Sequence, residues 1–519
     1  MGHDFRASMI WLHTWAGVVC AALLFAMFWM GTLSVFDREI DRWMQPSTRL
    51  AAPLAVPVSL DRLTAPVLAD VPEGTGEIYL YTPTAREPTV RVGYSVDDEW
   101  VVRHIDPASG RELARPESLA GTGFIFPFHF SFHITWADLG YWIAGFLAMA
   151  MLVLLVSGVV IHRKIVAEFF VFRPSKNHRR ATLDLHNMTS LIALPLHFLL
   201  PLTGLSIFFY IYLPWSVALP FGGKTEPMFA QTHGIHIVVP AGRAAPMESI
   251  DALVAEAQSR WRARHGDWVR ADIIHLQQWG DANARVTVRH VFPSRQVVMD
   301  REAVSFSGAS GAVVQDFTAG PVRTAHAWLS GLHFAQWEHW PLRWLYFFAG
   351  LSGCVMIATG LLFWLRAREG RHVPNTAGFR TVEAMTIGGV TGIIAATGAF
   401  FLINRILPDG AMLLGDGRAA LEVWVFFLVW IATFIHAAIV RAPAWAQQCW
   451  LIAGLALTAV VLNAATTGDH ILAAMQAGLW AVAGMDMMLL ASAGIAIGAA
   501  LRLRAKAPAA SEPVLAAAE

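Results

Sequence analysis

The chain has 519 residues and no net formal charge, with 55% hydrophobic and only 15% charged residues, and its mean hydropathy is +0.48. Soluble domains carry about a quarter charged residues, so a bilayer is the solvent this composition fits, and the neutral balance offers no electrostatic footprint for nucleic acid. Three cysteines, Cys20, Cys354 and Cys449, stand singly in apolar runs without a C-x-x-C or C-x-x-C-H pattern, which argues against a disulfide scaffold, covalently attached haem and cysteine-ligated iron–sulfur clusters.

In chain order, hydropathy windows of about 19 residues predict eight spans: Met9–Phe36, Tyr141–His162, Leu185–Leu213, Arg343–Leu365, Glu383–Ile403, Ala420–Val440, Gln447–Thr466 and Ile471–Leu501. The first is too long for a signal-peptide core and lacks a small-residue cleavage site, so it is read as a retained span. The expected fold class is a polytopic α-helical membrane protein with about eight transmembrane helices. Arg163, Lys164, Arg173, Lys176, Arg179 and Arg180 follow the second span, Arg366, Arg368, Arg371 and Arg380 the fourth, and Arg502, Arg504 and Lys506 the eighth. The positive-inside tendency places these loops and both termini in the cytoplasm of a bacterial inner membrane.

Two polar insertions, residues 37–140 and 214–342, then fall on the periplasmic side. Each alternates like strands, at Thr89–Tyr94 and Trp100–Ile105 in the first and at Ala284–His290 and Arg295–Met299 in the second. Each also carries a turn signal, Asp106-Pro107-Ala108-Ser109-Gly110 and Ser307-Gly308-Ala309-Ser310-Gly311. With a candidate amphipathic helix at Met247–Arg264, they read as two small α+β modules built as copies of one plan. The expected division is a first span (1–36), module 1 (37–140), two spans with a basic cytoplasmic loop (141–213), module 2 (214–342), a fourth span (343–365), an accessory four-helix block (383–501) and a disordered tail (502–519).

Twenty histidines are the costly inventory, since an imidazole in hydrocarbon is paired, protonically active or bound to metal. His13 and His186 occupy corresponding cytoplasmic ends of the first and third spans and form a candidate axial pair for haem iron. On the periplasmic side, His129 and His133 precede the second span, and His326 and His333 precede the fourth. His133 with His333 is the preferred pair, leaving His129 and His326 as alternatives or supporting groups. An outer pair just beyond a hydrocarbon core of about 30 Å would lie 30 Å or more from the inner one, too far for fast direct tunnelling. His197, eleven residues after His186 and within about 20° of its helical face, therefore becomes a candidate ligand for an intermediate haem, or else a core histidine bonded to a backbone carbonyl. His162 and His436, at cytoplasmic span ends, are weaker candidates. Asp37, Glu39, Asp41, Asp138 and Glu338 read as salt-linked or solvated surface, and Glu383, Asp469 and Asp486 as border acids. Gly388-Gly389-Val390-Thr391-Gly392 reads as close helix packing. No nucleophile triad, Walker loop or H-E-x-x-H motif is present.

At these positions the chain resembles the PepSY-associated transmembrane family, which includes inner-membrane ferric-siderophore reductases. The resemblance rests on Trp11-Leu12-His13-Thr14-Trp15-Ala16-Gly17, Phe132-His133, Ser157-Gly158, Asp184-Leu185-His186-Asn187 and Leu202-Thr203-Gly204. It continues in Gly331-Leu332-His333-Phe334, Ala358-Thr359-Gly360-Leu361 and the Asp106–Gly110 turn. It covers residues 1 to about 370 and implies PepSY-like modules and haem b, two or more, held by His13, His133, His186 and His333. It also implies a quinol or cytoplasmic reductase as donor and a ferric siderophore or other periplasmic acceptor. Phe124, Phe126, Phe128, Trp136, Trp328, Trp337 and Trp340 are candidates for the docking surface, with an interfacial aromatic belt as the alternative. Competing functions are a non-redox, membrane-anchored binding or signalling protein and a transporter.

Overall fold

The computed structural model describes residues 3–52, 58–162, 173, 178–266, 270–290, 297, 302–337, 339–368 and 376–504. Most of the predicted strand Arg295–Met299, the residues Arg163, Lys164, Lys176, Glu338, Arg371 and Lys506, and the tail beyond residue 504 lie outside the described residues.

The first half of the core runs α1 (His3–Ser34), α2 (Asp37–Met44), α3 (Leu60–Asp70), β1 (Glu77–Tyr81), β2 (Val90–Val96), β3 (Glu99–Ile105), β4 (Glu112–Leu113), α4 (Phe126–Ser131) and α5 (Leu139–Ile161). The second half continues with α6 (His178–Ile192), α7 (Leu194–Ile207) and three short helices, α8 (Phe209–Tyr212), α9 (Trp215–Phe221) and α10 (Thr225–His233). It goes on with α11 (Ile250–His265), β5 (Ile273–Gln277), β6 (Arg285–Arg289), β7 (Glu302–Ser307), β8 (Val313–Thr318), α12 (Pro321–Phe334) and α13 (Trp340–Arg366). A last block holds α14 (Ala377–Ile387), α15 (Ile393–Ile406), α16 (Arg418–Val440), α17 (Ala444–Thr467), α18 (Ile471–Gln476) and α19 (Trp480–Arg504).

Among the described residues, seven helices are long and apolar enough to cross a membrane. The predicted third span is instead the pair α6 and α7, bent by 64°, so eight crossings are reached only by counting that pair as one. Pro195, in the first turn of α7, has no N–H for the Leu191 carbonyl and its ring crowds that oxygen, which is why the helix breaks at Ala193.

The two insertions are not separate modules. Among the described residues their strands form one eight-stranded sheet, ordered β4-β3-β2-β1-β5-β6-β7-β8. The join is an antiparallel β1–β5 pairing with Tyr79 opposite His275 at its centre. It satisfies the backbone groups that two free edge strands would leave open. Helices α3 and α11 cover the same face, where Leu60, Leu63, Ile250, Leu253 and Trp261 pack over Ile78, Leu80, Ile274 and Leu276. Their N-termini cap each other: Ser59 Oγ donates to Asp251 (2.6 Å) and Ser249 Oγ to Asp61 (2.5 Å), while the amides of Leu60 and Ile250 donate to those same carboxylates. The halves are thus related by a two-fold axis that pierces the sheet between Tyr79 and His275.

Asp37 and Glu39, read as salt-linked or solvated surface, are salt-linked, with Asp37 buried and Glu39 partly so. Arg86 bridges Asp37 (3.0 Å) and Glu39 (2.7 Å), and Arg343, 1% exposed, donates to Glu39 (2.7 Å) and the Val35 carbonyl (2.9 Å). Burial alone would push the Glu39 carboxyl up, but Arg86 and Arg343 outweigh it and hold it at about 2. Removing one partner of a buried ion pair strands the other, so Arg343→Leu should cost about 3–5 kcal/mol. Thermal unfolding of the detergent-solubilised protein measures this, and an unchanged midpoint would contradict it.

The last block is keyed into this region rather than appended. Trp43 donates to the buried Asp486 (2.7 Å), Arg49 to Asp469 and Asn463 (both 2.8 Å), and Arg405 to the Met44 carbonyl (2.6 Å). Glu383 pairs with Arg441 (2.9 Å). The glycine-rich stretch does pack closely, Gly388 against Phe434 and Gly389 against Ala22, and it forms a π-helical turn.

Candidate functional site

Four of the candidate histidines meet in two opposed pairs. On the side of the basic loops, His13 of α1 faces His186 of α6 with ring centres 6.3 Å apart. Nearer the sheet, His129 of α4 faces His333 of α12 at 6.0 Å. A metal–imidazole bond of about 2.0 Å on each side, plus about 1.1 Å from each nitrogen to its ring centre, sets the centres of two axial ligands about 6.2 Å apart. Both pairs have that spacing.

The same hydrogen bond orients each ring. Nδ1 of His13 donates to the Leu154 carbonyl (3.0 Å), that of His186 to Met356 (2.8 Å), that of His129 to Met27 (2.8 Å) and that of His333 to Leu200 (2.9 Å). A carbonyl oxygen only accepts, so the proton sits on Nδ1 and the Nε2 lone pair is left for a ligand. None of the four Nε2 atoms has a hydrogen-bond partner among the described residues.

Each accepting carbonyl lies one helical turn before a glycine: Gly158, Gly360, Gly31 and Gly204 in the same order. A Cβ on these would stand 3.2, 3.1, 2.6 and 2.9 Å from the facing imidazole. The glycines are what admits the rings to the helix backbone. Eighteen residues separate His13 from Gly31 and also His186 from Gly204, so the two halves supply equivalent ligands and equivalent docking sites.

Both pairs line cavities. The inner one, about 620 Å³, is walled by apolar residues of α1, α5, α6 and α13, with Arg6, Arg180 and Arg368 at its lining. The outer one, about 130 Å³, is lined by Met27, Phe28, Phe126, Phe130, Tyr212, Tyr346 and their neighbours, without a lysine or arginine. Met151 lines both.

The structure sets His129, rather than His133 of the preferred outer pair, opposite His333. Equivalent facing of His129 and His133 presupposed a helix through both residues, but α4 ends at Ser131. Phe132 and His133 turn left-handed, with φ of 51° and 58°. His133 leans instead on Phe124, at 5.2 Å. His326 is taken up by the Ser206 carbonyl (3.2 Å) and Arg323 (3.0 Å). His197 is fully buried, and its Nε2 donates to the Ala349 carbonyl (2.9 Å). Among the described residues no second histidine stands opposite it, and its partner is a carbonyl of α13 rather than one exposed near Pro195 or Pro201.

The spacing that seemed to require His197 also changes. Because α4 folds back into the bundle, His129 docks on α1 at Met27, fourteen residues beyond His13, which is about 21 Å of helix rather than a full membrane thickness. Of the aromatic docking candidates, Phe124, Phe128 and Trp337 are buried core and Phe126 lines the outer cavity, leaving only Trp136, Trp328 and Trp340 exposed. His162 lines the inner cavity, and His436 is bonded to Gln447 (2.7 Å).

Comparison with known proteins agrees with this architecture. Residues 10–367 match the family model described as the PepSY-associated TM region, a stretch that contains all four paired histidines and stops before the last block. The chain is also similar to an uncharacterized protein of Pseudomonas aeruginosa, 25% identical over 380 residues that take in 69% of this chain and 90% of the relative.

Proposed function

The chain belongs to the PepSY-associated transmembrane family, and from that premise we propose that it is a b-type haem protein carrying electrons across the inner membrane to a periplasmic acceptor. One observation carries the reading: two opposed histidine pairs at axial-ligand spacing, every Nδ1 committed to a carbonyl and every ring lining a cavity. His13 and His186 would hold the inner haem, and His129 and His333 the outer one. Haem supplies one-electron chemistry whose potential is set by its axial ligands and surroundings.

The protein's own work is to position and insulate. The carbonyl bonds fix tautomer and ring angle. The apolar walls would keep water from a bound haem, and Arg6, Arg180 and Arg368 give the inner cavity a basic rim that would favour haem carboxylates. Met151 lines both cavities. The donor is a quinol or a cytoplasmic reductase. The acceptor is a ferric siderophore or a similar chelate, from which one-electron reduction releases iron because the ferrous ion is held less well by hard oxygen ligands.

Protein purified from haem-replete cells should show a Soret band, a dithionite-sharpened α band and about two haems per chain, one for each histidine pair. A colourless preparation would overturn the reading in favour of a non-redox membrane anchor.

A further inference from the structure

The two-fold relation between the halves has a geometric consequence. His13/His186, His129/His333 and Tyr79/His275 are each a pair contributed one residue from each half. The last pair projects from the sheet face opposite α3 and α11, since Ile78, Leu80, Ile274 and Leu276 alternate with it on the helix-covered face. That opposite face is turned to the bundle: Arg91 on it pairs with Glu87, which pairs with Arg38 of α2.

Three ligand-type side chains gather there. Tyr79 and His275 stack ring on ring, 4.3 Å apart and nearly parallel. The Tyr79 hydroxyl donates to Glu77 Oε2 (3.1 Å), and the same oxygen lies 3.7 Å from His275 Nε2. His275 is 1% exposed, yet neither of its ring nitrogens has a hydrogen-bond partner. A buried imidazole in that condition is costly, and a metal ion is one group that satisfies it. Glu77, about half exposed, leaves the group open to entry from solvent.

We propose that Glu77, Tyr79 and His275 form a ferric-iron site above the outer histidine pair, where iron still partly held by its chelate is reduced. Carboxylate, phenol and one imidazole are a hard, oxygen-rich set suited to a trivalent ion. Arg91, over the Tyr81 ring at 4.6 Å, and Arg289, whose charge reaches both tyrosines, suit the site to an anionic oxygen chelate rather than a bare aqua ion. A haem held by His129 and His333 would supply the one electron that the reduction needs. The site iron goes from Fe(III) to Fe(II), the phenolate regains a proton from solvent, and the ferrous ion leaves.

The inference rests on the proposed electron transfer but is tested apart from it. Ferric nitrilotriacetate is titrated into the full-length, detergent-solubilised protein, and the rhombic high-spin ferric EPR signal is read beside the low-spin haem signals. Wild type should gain this signal to saturation, His275→Ala and Tyr79→Phe should lose it with haem content unchanged, and His129→Ala should keep it. An undiminished signal in both site variants, or none in wild type whose haem spectrum is intact, overturns the site. A missing haem spectrum instead overturns the electron-transfer reading, and calorimetric binding of redox-inert gallium nitrilotriacetate, abolished in His275→Ala, still decides the site.

Discussion

His129→Ala should lower the haem content from about two per chain to about one, whereas His133→Ala should leave it at two. The difference follows from where α4 stops. His129, its last histidine, bonds the Met27 carbonyl and faces His333 at 6.0 Å, while His133, two residues past the helix end, contacts Phe124. Haem iron that keeps only one axial imidazole becomes five-coordinate or binds solvent, so any haem retained in His129→Ala should also lose its bis-histidine low-spin signature. The inner pair is the control: His13→Ala and His186→Ala should remove the other half of the spectrum and leave the His129/His333 component in place. Equal haem loss in His133→Ala and His129→Ala would return the site to the pairing read from spacing alone.

Gly31→Ala should be nearly as damaging to the outer site as losing His129 itself, although alanine is a better helix former than glycine. The added Cβ would lie 2.6 Å from two atoms of the His129 ring, inside van der Waals contact, and the ring cannot retreat without surrendering its bond to Met27. Gly204→Ala, with 2.9 Å to His333, should behave alike. Gly158→Ala and Gly360→Ala bring the methyl only to 3.2 and 3.1 Å, so the inner haem should be retained with shifted absorption and a changed midpoint potential. Spectra of the four variants, normalised to protein, give the ranking. Outer-site variants that keep full haem would show that the glycines serve helix packing only.

Much of the site is legible in residue types and spacing because each ligand lies in a local segment that repeats. His13 and His186 open equivalent spans, and an aromatic-flanked histidine precedes each returning span. What spacing does not carry is the conformation of a short connecting segment. The residue spacing of His129 and His133 is the same whether α4 runs on or stops, and two left-handed residues at its end decide which imidazole faces the cavity. The docking glycines stand in the quoted Ser157-Gly158, Leu202-Thr203-Gly204 and Ala358-Thr359-Gly360-Leu361 segments, but their role depends on a ring arriving from another helix. Gly31 carried no signal beyond its matching distance from His13.

The sequence by itself determined the bilayer as solvent, the apolar spans, the internal duplication and the inner pair, because hydropathy, charge asymmetry and repeated order are properties of the chain alone. Only the tertiary structure decided that the two insertions fuse into one sheet, that the third span bends, that Asp37 is buried, and Glu39 partly so, between arginines, and that His129 faces His333. Each of these depends on which surfaces meet across more than a hundred residues of chain, where unpaired strand edges, buried charge and ring-to-glycine contact set the outcome. The imidazoles are residues of the sequence, but the fold chose which of them oppose each other.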